Sequence, residues 1–162
     1  MIEKHKIHYS AIDKKVFLYL DLVERIALES YCERLKVGSL IVKDDNMISF
    51  GYNGTPKGSL NCCEEETEDG QLVTLSTVLH SESNSITKAS RSTISTDNST
   101  MYCTHSCCIN CGKLIVQSGI TSFIYNQDYR DQEGIEFLLK HGIKVIKQDV
   151  ENKTLDLLSI KI

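Results

Sequence analysis

Met101-Tyr102-Cys103-Thr104-His105-Ser106-Cys107-Cys108-Ile109-Asn110-Cys111-Gly112-Lys113-Leu114-Ile115-Val116-Gln117-Ser118-Gly119 reads as a strand, a cysteine-bearing turn and a helix. The strand is short, Met101 to Thr104, and the helix runs from Ile109 to Ser118. Gly119 stands where a helix commonly stops, because glycine accepts the left-handed backbone of that position. The pattern then repeats. Ser122 to Tyr125 is a strand, Gln132 to His141 a helix ended by Gly142, and Ile143 to Lys147 another strand. Strands alternating with helices imply a parallel section of sheet covered by helices.

Upstream, His80 opens a helix that continues through Ile86 and Ala89 to about Arg91, and serines with Asn98 mark a loop near residues 92 to 99. Before it, the last part of the stretch Tyr31 to Val42 is rich in β-branched residues and reads as a buried strand, and Met47 to Tyr52 follows after the turn Asp44-Asp45-Asn46. That hairpin supplies an antiparallel pair. Val16, Leu20, Val23, Ala27 and Tyr31 recur at near-helical spacing, so residues 13 to 31 form an amphipathic first helix. The fold class expected is α/β, a three-layer α/β/α domain with a five-stranded mixed sheet. Residues 1 to 162 form one domain in this reading. The tail from about residue 152 carries Leu155, Leu157, Leu158 and Ile160 for packing on the body or on a neighbouring subunit. The acidic run Glu64-Glu65-Glu66 reads as a solvated loop.

Composition narrows the function. Eighteen basic against twenty-two acidic residues give a net charge of -4, whereas nucleic-acid binders usually present a basic surface. No apolar run is long enough to span a bilayer, and Met1 to His5 lacks the apolar core of a signal peptide. Seven cysteines without such a signal suggest a cytoplasmic protein whose thiols are reduced and bind metal.

His80-Ser81-Glu82 and Cys108-Ile109-Asn110-Cys111 together spell H-x-E … C-x-x-C. One imidazole and two thiolates suit tetrahedral Zn²⁺ and leave a fourth position open, whereas a structural zinc site generally closes with four protein ligands. A structural zinc clip or buried free thiols are the bland alternatives. The positive end of a helix at Cys108 and Cys111 favours thiolate. Residues two apart do not share a helix face, so His80 and Glu82 meet one site only if the helix is entered there. Cys107, adjacent to Cys108, is poorly placed to ligate and points elsewhere.

H-x-E … C-x-x-C is the known signature of the zinc nucleobase deaminases, and the chain resembles the cytidine/deoxycytidylate deaminase superfamily. Further stretches resemble its deoxycytidylate (dCMP) deaminases of bacteria and phages: Cys32-x-Arg34-x-x-Val37-Gly38-x-x-Ile41-Val42, Gly51-Tyr52-Asn53-Gly54-Thr55-Pro56, Asn61-Cys62-Cys63, Asn84, Ile86, Met101-Tyr102 and Tyr129-Arg130. The resemblance spans about residues 15 to 147. It departs in two places: the family usually has alanine where Ser81 stands, and proline where Cys107 stands.

The resemblance implies deamination of dCMP to dUMP and ammonia, supplying dUMP for thymidylate synthesis. His80, Cys108 and Cys111 would hold Zn²⁺ and Glu82 would carry protons. Asn53 would hold the sugar hydroxyl, and backbone around Ser106 would accept from the exocyclic amine. The 5′-phosphate needs cationic or hydroxyl donors, for which Arg34, Tyr129 and Arg130 stand, with Lys36 a weaker candidate. Cys32 and Cys62 match positions that hold a second zinc in some phage relatives, with Cys63 nearby; the histidines such a site needs are not found. The family further implies a homo-oligomer, with a hexamer favoured, and dCTP and dTTP as effectors near Gly51 to Pro56. Neither a nucleic-acid nor a membrane partner is expected. Nucleic-acid editing, a nucleoside deaminase and a non-catalytic zinc module are the competing readings. His105 lies close enough to line the site.

Overall fold

The computed structural model describes residues 1–7 and 14–160. Its strands are β1 (Ile2–Ile7), β2 (Gly38–Lys43), β3 (Asn46–Tyr52), β4 (Glu64–Glu66), β5 (Leu72–Thr74), β6 (Thr100–His105), β7 (Ser122–Gln127), β8 (Lys144–Asp149) and β9 (Thr154–Ile160). Its helices are α1 (Lys15–Ala27), α2 (Ser81–Ala89), α3 (Ile109–Gln117) and α4 (Glu133–Lys140). Among the described residues the main sheet has seven strands in the order β1-β9-β8-β7-β6-β2-β3. The five-stranded expectation is therefore too small by two. Both added strands come from the ends of the chain, and β9 pairs antiparallel with β8 on one side and β1 on the other. Between Ile2 and Ile7 stand four consecutive charged or histidine residues, and the tail follows a turn at residues 150–153, so neither shows its pairing partner in its own pattern.

The sheet is mixed, as expected: β6, β7 and β8 run parallel, while β2 pairs antiparallel with β3 and β6. The two-residue period of each strand sorts the core into two faces. Tyr102, Ile124 and Ile146 face α1, where Tyr19, Leu20 and Val23 meet them. Met101, Cys103, Phe123, Tyr125 and Val145 face the other way, against Ala89, Ile115, Ile135 and Leu138 of α2, α3 and α4. One helix on one face and three on the other make the three layers. A fully buried aliphatic side chain such as Leu20 or Ile115 contributes roughly 1.5–3 kcal/mol by leaving water.

Two glycines set how closely the helices approach. A Cβ on Gly51 in β3 would lie 2.4 Å from the Ser81 carbonyl oxygen, so glycine lets the start of α2 sit directly on the hairpin. A Cβ on Gly134 would lie 2.0 Å from the Cys107 carbonyl oxygen, so the start of α4 is pressed against the turn before α3. Both contacts flank the residues of the H-x-E and C-x-x-C motifs. The acidic run is not a loop. Glu64 to Glu66 is strand β4, paired antiparallel with Leu72 to Thr74 in a small hairpin. No helix among the described residues is long and apolar enough to cross a membrane.

Candidate active site

His80 is the residue before α2 and has extended backbone, φ -70° and ψ 154°. Cys108 stands in the same position before α3, with φ -73° and ψ 166°. Each chain segment thus turns from extended to helical at a ligand. Leu79 is tied to the Gly54 loop by reciprocal backbone hydrogen bonds of 2.8 and 3.1 Å, which fixes the approach to His80. The His80 Nδ1 lies 3.5 Å from Cys108 Sγ and 3.4 Å from Cys111 Sγ. The three donor atoms lie within 4.8 Å of one another. An imidazole and two sulfurs converging on one point fit Zn²⁺, whose ligands stand about 2.0–2.3 Å from the ion. Cys107 is fully buried in the core behind this turn and is not among the converging donors.

The three groups share their protons unequally. The Cys108 thiol is pulled down to about 3, first by Cys111, whose S–H donates to it, and also by His80, against the upward push of burial. Cys111, the donor, is pushed up correspondingly. The hydrogen bond with Cys108 raises His80, with Glu82 and Cys108 adding to it against burial. Glu82 is 4% exposed. Burial pushes its carboxyl above the ordinary glutamate value, opposed by its own backbone N–H, by His80 and by the Ser81 hydroxyl. That hydroxyl donates to Glu82 Oε2 at 2.9 Å.

These groups lie in a cleft of about 520 Å³ whose lining includes His80, Glu82 and Cys108. Five residues expected from the sequence to contact substrate line it too: Arg34, Asn53, Ser106, Tyr129 and Arg130. His105 is in the lining as well, and Lys36 is exposed and outside it. Asn53 is not a loose amide. Its Oδ1 accepts from Val37 N–H at 2.8 Å and its Nδ2 donates to the Leu35 carbonyl at 2.7 Å, so it pins residues 35–37. One amide hydrogen and one lone pair remain for another partner. Ser106 is 3% exposed. Its N–H donates to the Gln127 carbonyl, and its hydroxyl accepts from Tyr129 N–H at 2.7 Å. Ser106 thereby draws the Tyr129–Arg130 loop over the cleft.

Arg34 is held by residues that sequence reading left aside. Its Nη1 donates to Thr74 Oγ1 at 2.8 Å, and its backbone N–H donates to the Glu64 carboxylate at 3.3 Å. Glu64 also accepts from Glu33 N–H at 3.2 Å. The β-branched pair Val73-Thr74 was the only local hint of this hairpin, and three residues give too little periodicity to read. Asp128, also in the lining, accepts from the Tyr125 hydroxyl at 3.1 Å and pairs with Lys147.

The second-zinc expectation at Cys32 and Cys62 is corrected in its residues: Cys62 faces away, and it is the donor atoms of Cys32, Cys63 and Glu64 that lie within 4.8 Å of one another. Cys32 is joined to Cys63 by a disulfide, and the expectation that all seven thiols are reduced is corrected with it. Cys62 points out to solvent, and its thiol donates to the Glu64 carbonyl at 3.2 Å. Adjacent residues on an extended segment point to opposite sides, so only one of the two cysteines can face Cys32.

An α/β/α domain with a three-ligand zinc set and a buried carboxyl in one cleft defines a class of zinc hydrolase site. The model of the family described as the cytidine and deoxycytidylate deaminase zinc-binding region matches residues 14–127, and the chain belongs to that family. ComE operon protein 2 of Bacillus subtilis is 35% identical over 136 residues, 82% of this chain and 70% of that protein. The deoxycytidylate deaminase of Enterobacteria phage T4 is 30% identical over 85% of this chain and 92% of its own length. Among solved structures, the dCMP deaminase of cyanophage S-TIM5 in complex with dCMP and dUMP superposes with a TM-score of 0.78 at 38% identity. The match covers 85% of this chain and 99% of that one.

Proposed function

We propose that this protein hydrolyses dCMP to dUMP and ammonia. The observation that carries the reading is the meeting, in one cleft, of the zinc donors and Glu82 with two arginines at the mouth. A deaminase of free nucleosides has no use for two guanidinium groups there, whereas a monophosphate does, because arginine matches phosphate geometry with paired N–H donors. The identity to dCMP deaminases over most of the chain supports the same substrate.

His80, Cys108 and Cys111 would hold Zn²⁺, which would supply the acidity that makes a water nucleophilic near neutral pH. Glu82 accepts the proton of that water and delivers it to N3 of the cytosine ring. The oxygen adds to C4. Glu82 then takes the proton of the new C4 hydroxyl and hands it to the exocyclic nitrogen; the C4–N bond breaks as the C4 carbonyl forms, and dCMP plus water gives dUMP plus ammonia. A carboxyl whose burial raises its proton affinity suits this double duty as base and acid. Ser106 accepts from the exocyclic amine through its carbonyl, and the remaining valences of Asn53 meet the sugar hydroxyl. Arg34, Tyr129 and Arg130 receive the phosphate.

In this reading the chain works as one domain, since both its ends are strands of the central sheet. It assembles as a homo-oligomer, a hexamer with dCTP and dTTP as effectors, and resides in the cytoplasm. The apolar side chains exposed along β3, Met47 at 61% and Phe50 at 50%, support assembly. The test is ammonia release from dCMP, CMP, deoxycytidine and cytidine by the purified zinc-loaded protein. The expected result is a kcat/KM for dCMP at least about tenfold above that for deoxycytidine, the scale of one lost charged contact. Equal values would remove the phosphate from the account.

A further inference from the structure

Ser81 stands between a zinc donor and the proton carrier, and its side chain does something that spacing does not reveal. It is fully buried. Its hydroxyl donates to Glu82 Oε2 at 2.9 Å, and its other polar neighbour is the Cys103 sulfur at 3.8 Å. A carboxylate oxygen is the far better acceptor of the two, and a hydrogen bond to it is charge-assisted when the carboxyl is ionised. The Ser81 backbone is fixed as well. Its carbonyl accepts from Ser39 Oγ of β2 at 2.7 Å, and Gly51 leaves room for that approach. Ser39 Oγ also lies 3.0 Å from Ser85 Oγ, an alternative acceptor for its single hydrogen, and Ser85 donates to the Glu82 carbonyl at 2.9 Å. Glu82 is thus held at its backbone by Ser85 and at its carboxyl by Ser81.

The terminal torsion of a glutamate is broad and two-fold, so a carboxyl with no tether exchanges its oxygens and swings. A group that takes a proton from water and passes protons to N3 and to the exocyclic nitrogen gains from having one oxygen kept on station. Misplacement by about 1 Å of a group in the reaction path costs up to 10²-fold in rate. We propose that Ser81 is a positioning residue: it clamps Oε2 of Glu82 and leaves Oε1 to handle the protons of the reaction. The proposal rests on the deaminase reading for its effect on rate, while the clamp itself can be observed without turnover.

The experiment compares the zinc-loaded wild type with Ser81→Ala, a smaller residue that fits the same space. Three properties are read: kinetics on dCMP, zinc content with thermal midpoint, and the side-chain carboxyl resonance of Glu82 in protein labelled with ¹³C at glutamate Cδ. That resonance is assigned by its loss in Glu82→Gln. The expected result is a kcat lower by about tenfold, with KM within twofold, zinc and midpoint unchanged, and the carboxyl resonance shifted. An unchanged kcat, an unmoved resonance, or a rate loss that tracks lost zinc or lowered midpoint would each overturn the proposal. If the wild type releases no ammonia from dCMP, the functional reading fails, and the resonance still decides whether Ser81 holds the carboxyl.

Discussion

At the floor of the cleft, Ser81, Glu82 and Ser106 are no more than 4% exposed; Ser81 and Ser106 are fixed by hydrogen bonds from a neighbouring strand and loop, and Glu82 by serines of its own helix. At its mouth, Arg34 and Arg130 are exposed, and Arg34 is steadied by one threonine and one glutamate of a small hairpin. The difference follows from what each part must do. Proton transfer requires a carboxyl held to within a fraction of an ångström, and a buried polar network supplies that fixity only when all its members are bonded. An anion is drawn by charge over several ångströms and tolerates slack in the arginine that receives it. Substitutions at the floor should therefore act on rate or metal, and substitutions at the mouth on substrate recognition.

Breaking the floor gives the largest effect. Cys111→Ala removes one of the three converging donors, and the purified variant is expected to carry little zinc by metal analysis and to show no measurable turnover. A variant that keeps a full zinc complement would mean the ion is held elsewhere. The mouth gives the smaller effect and sharpens the contrast. Arg34→Ala should lower kcat/KM for dCMP about tenfold, or about 1.4 kcal/mol, while leaving deoxycytidine unchanged. Equal losses on both substrates would assign Arg34 to the scaffold and not to the phosphate.

The same contrast explains what could be read from the sequence. The cluster of His80, Cys108 and Cys111 was legible because the chemistry of zinc demands particular residue types at tight spacing, and their donor atoms do converge. The parallel β6–β8 section and its covering helices were legible from the switch between two-residue and helical periods. Strands β1 and β9 were missed because edge pairing joins the two ends of the chain, and nothing local announces a partner some 150 residues away. The β4–β5 hairpin was missed because three residues per strand carry no usable period, and Glu64 looked like one more solvated acid. The pairing of Cys32 with Cys63 depends on which of two adjacent side chains faces inward, which only the backbone fixes. The Ser81 hydroxyl bond was hidden for a related reason: spacing shows that a serine is next to Glu82, and only the rotamer shows that it reaches the carboxyl.

The account stands most directly on ammonia release from dCMP by the wild type and Glu82→Gln at matched zinc content. It predicts steady production of dUMP and ammonia by the wild type. Glu82→Gln should be slower by about 10³-fold, the scale of a lost general acid–base group, with its zinc and fold intact. Comparable rates from the two proteins, or no ammonia from either, would contradict it.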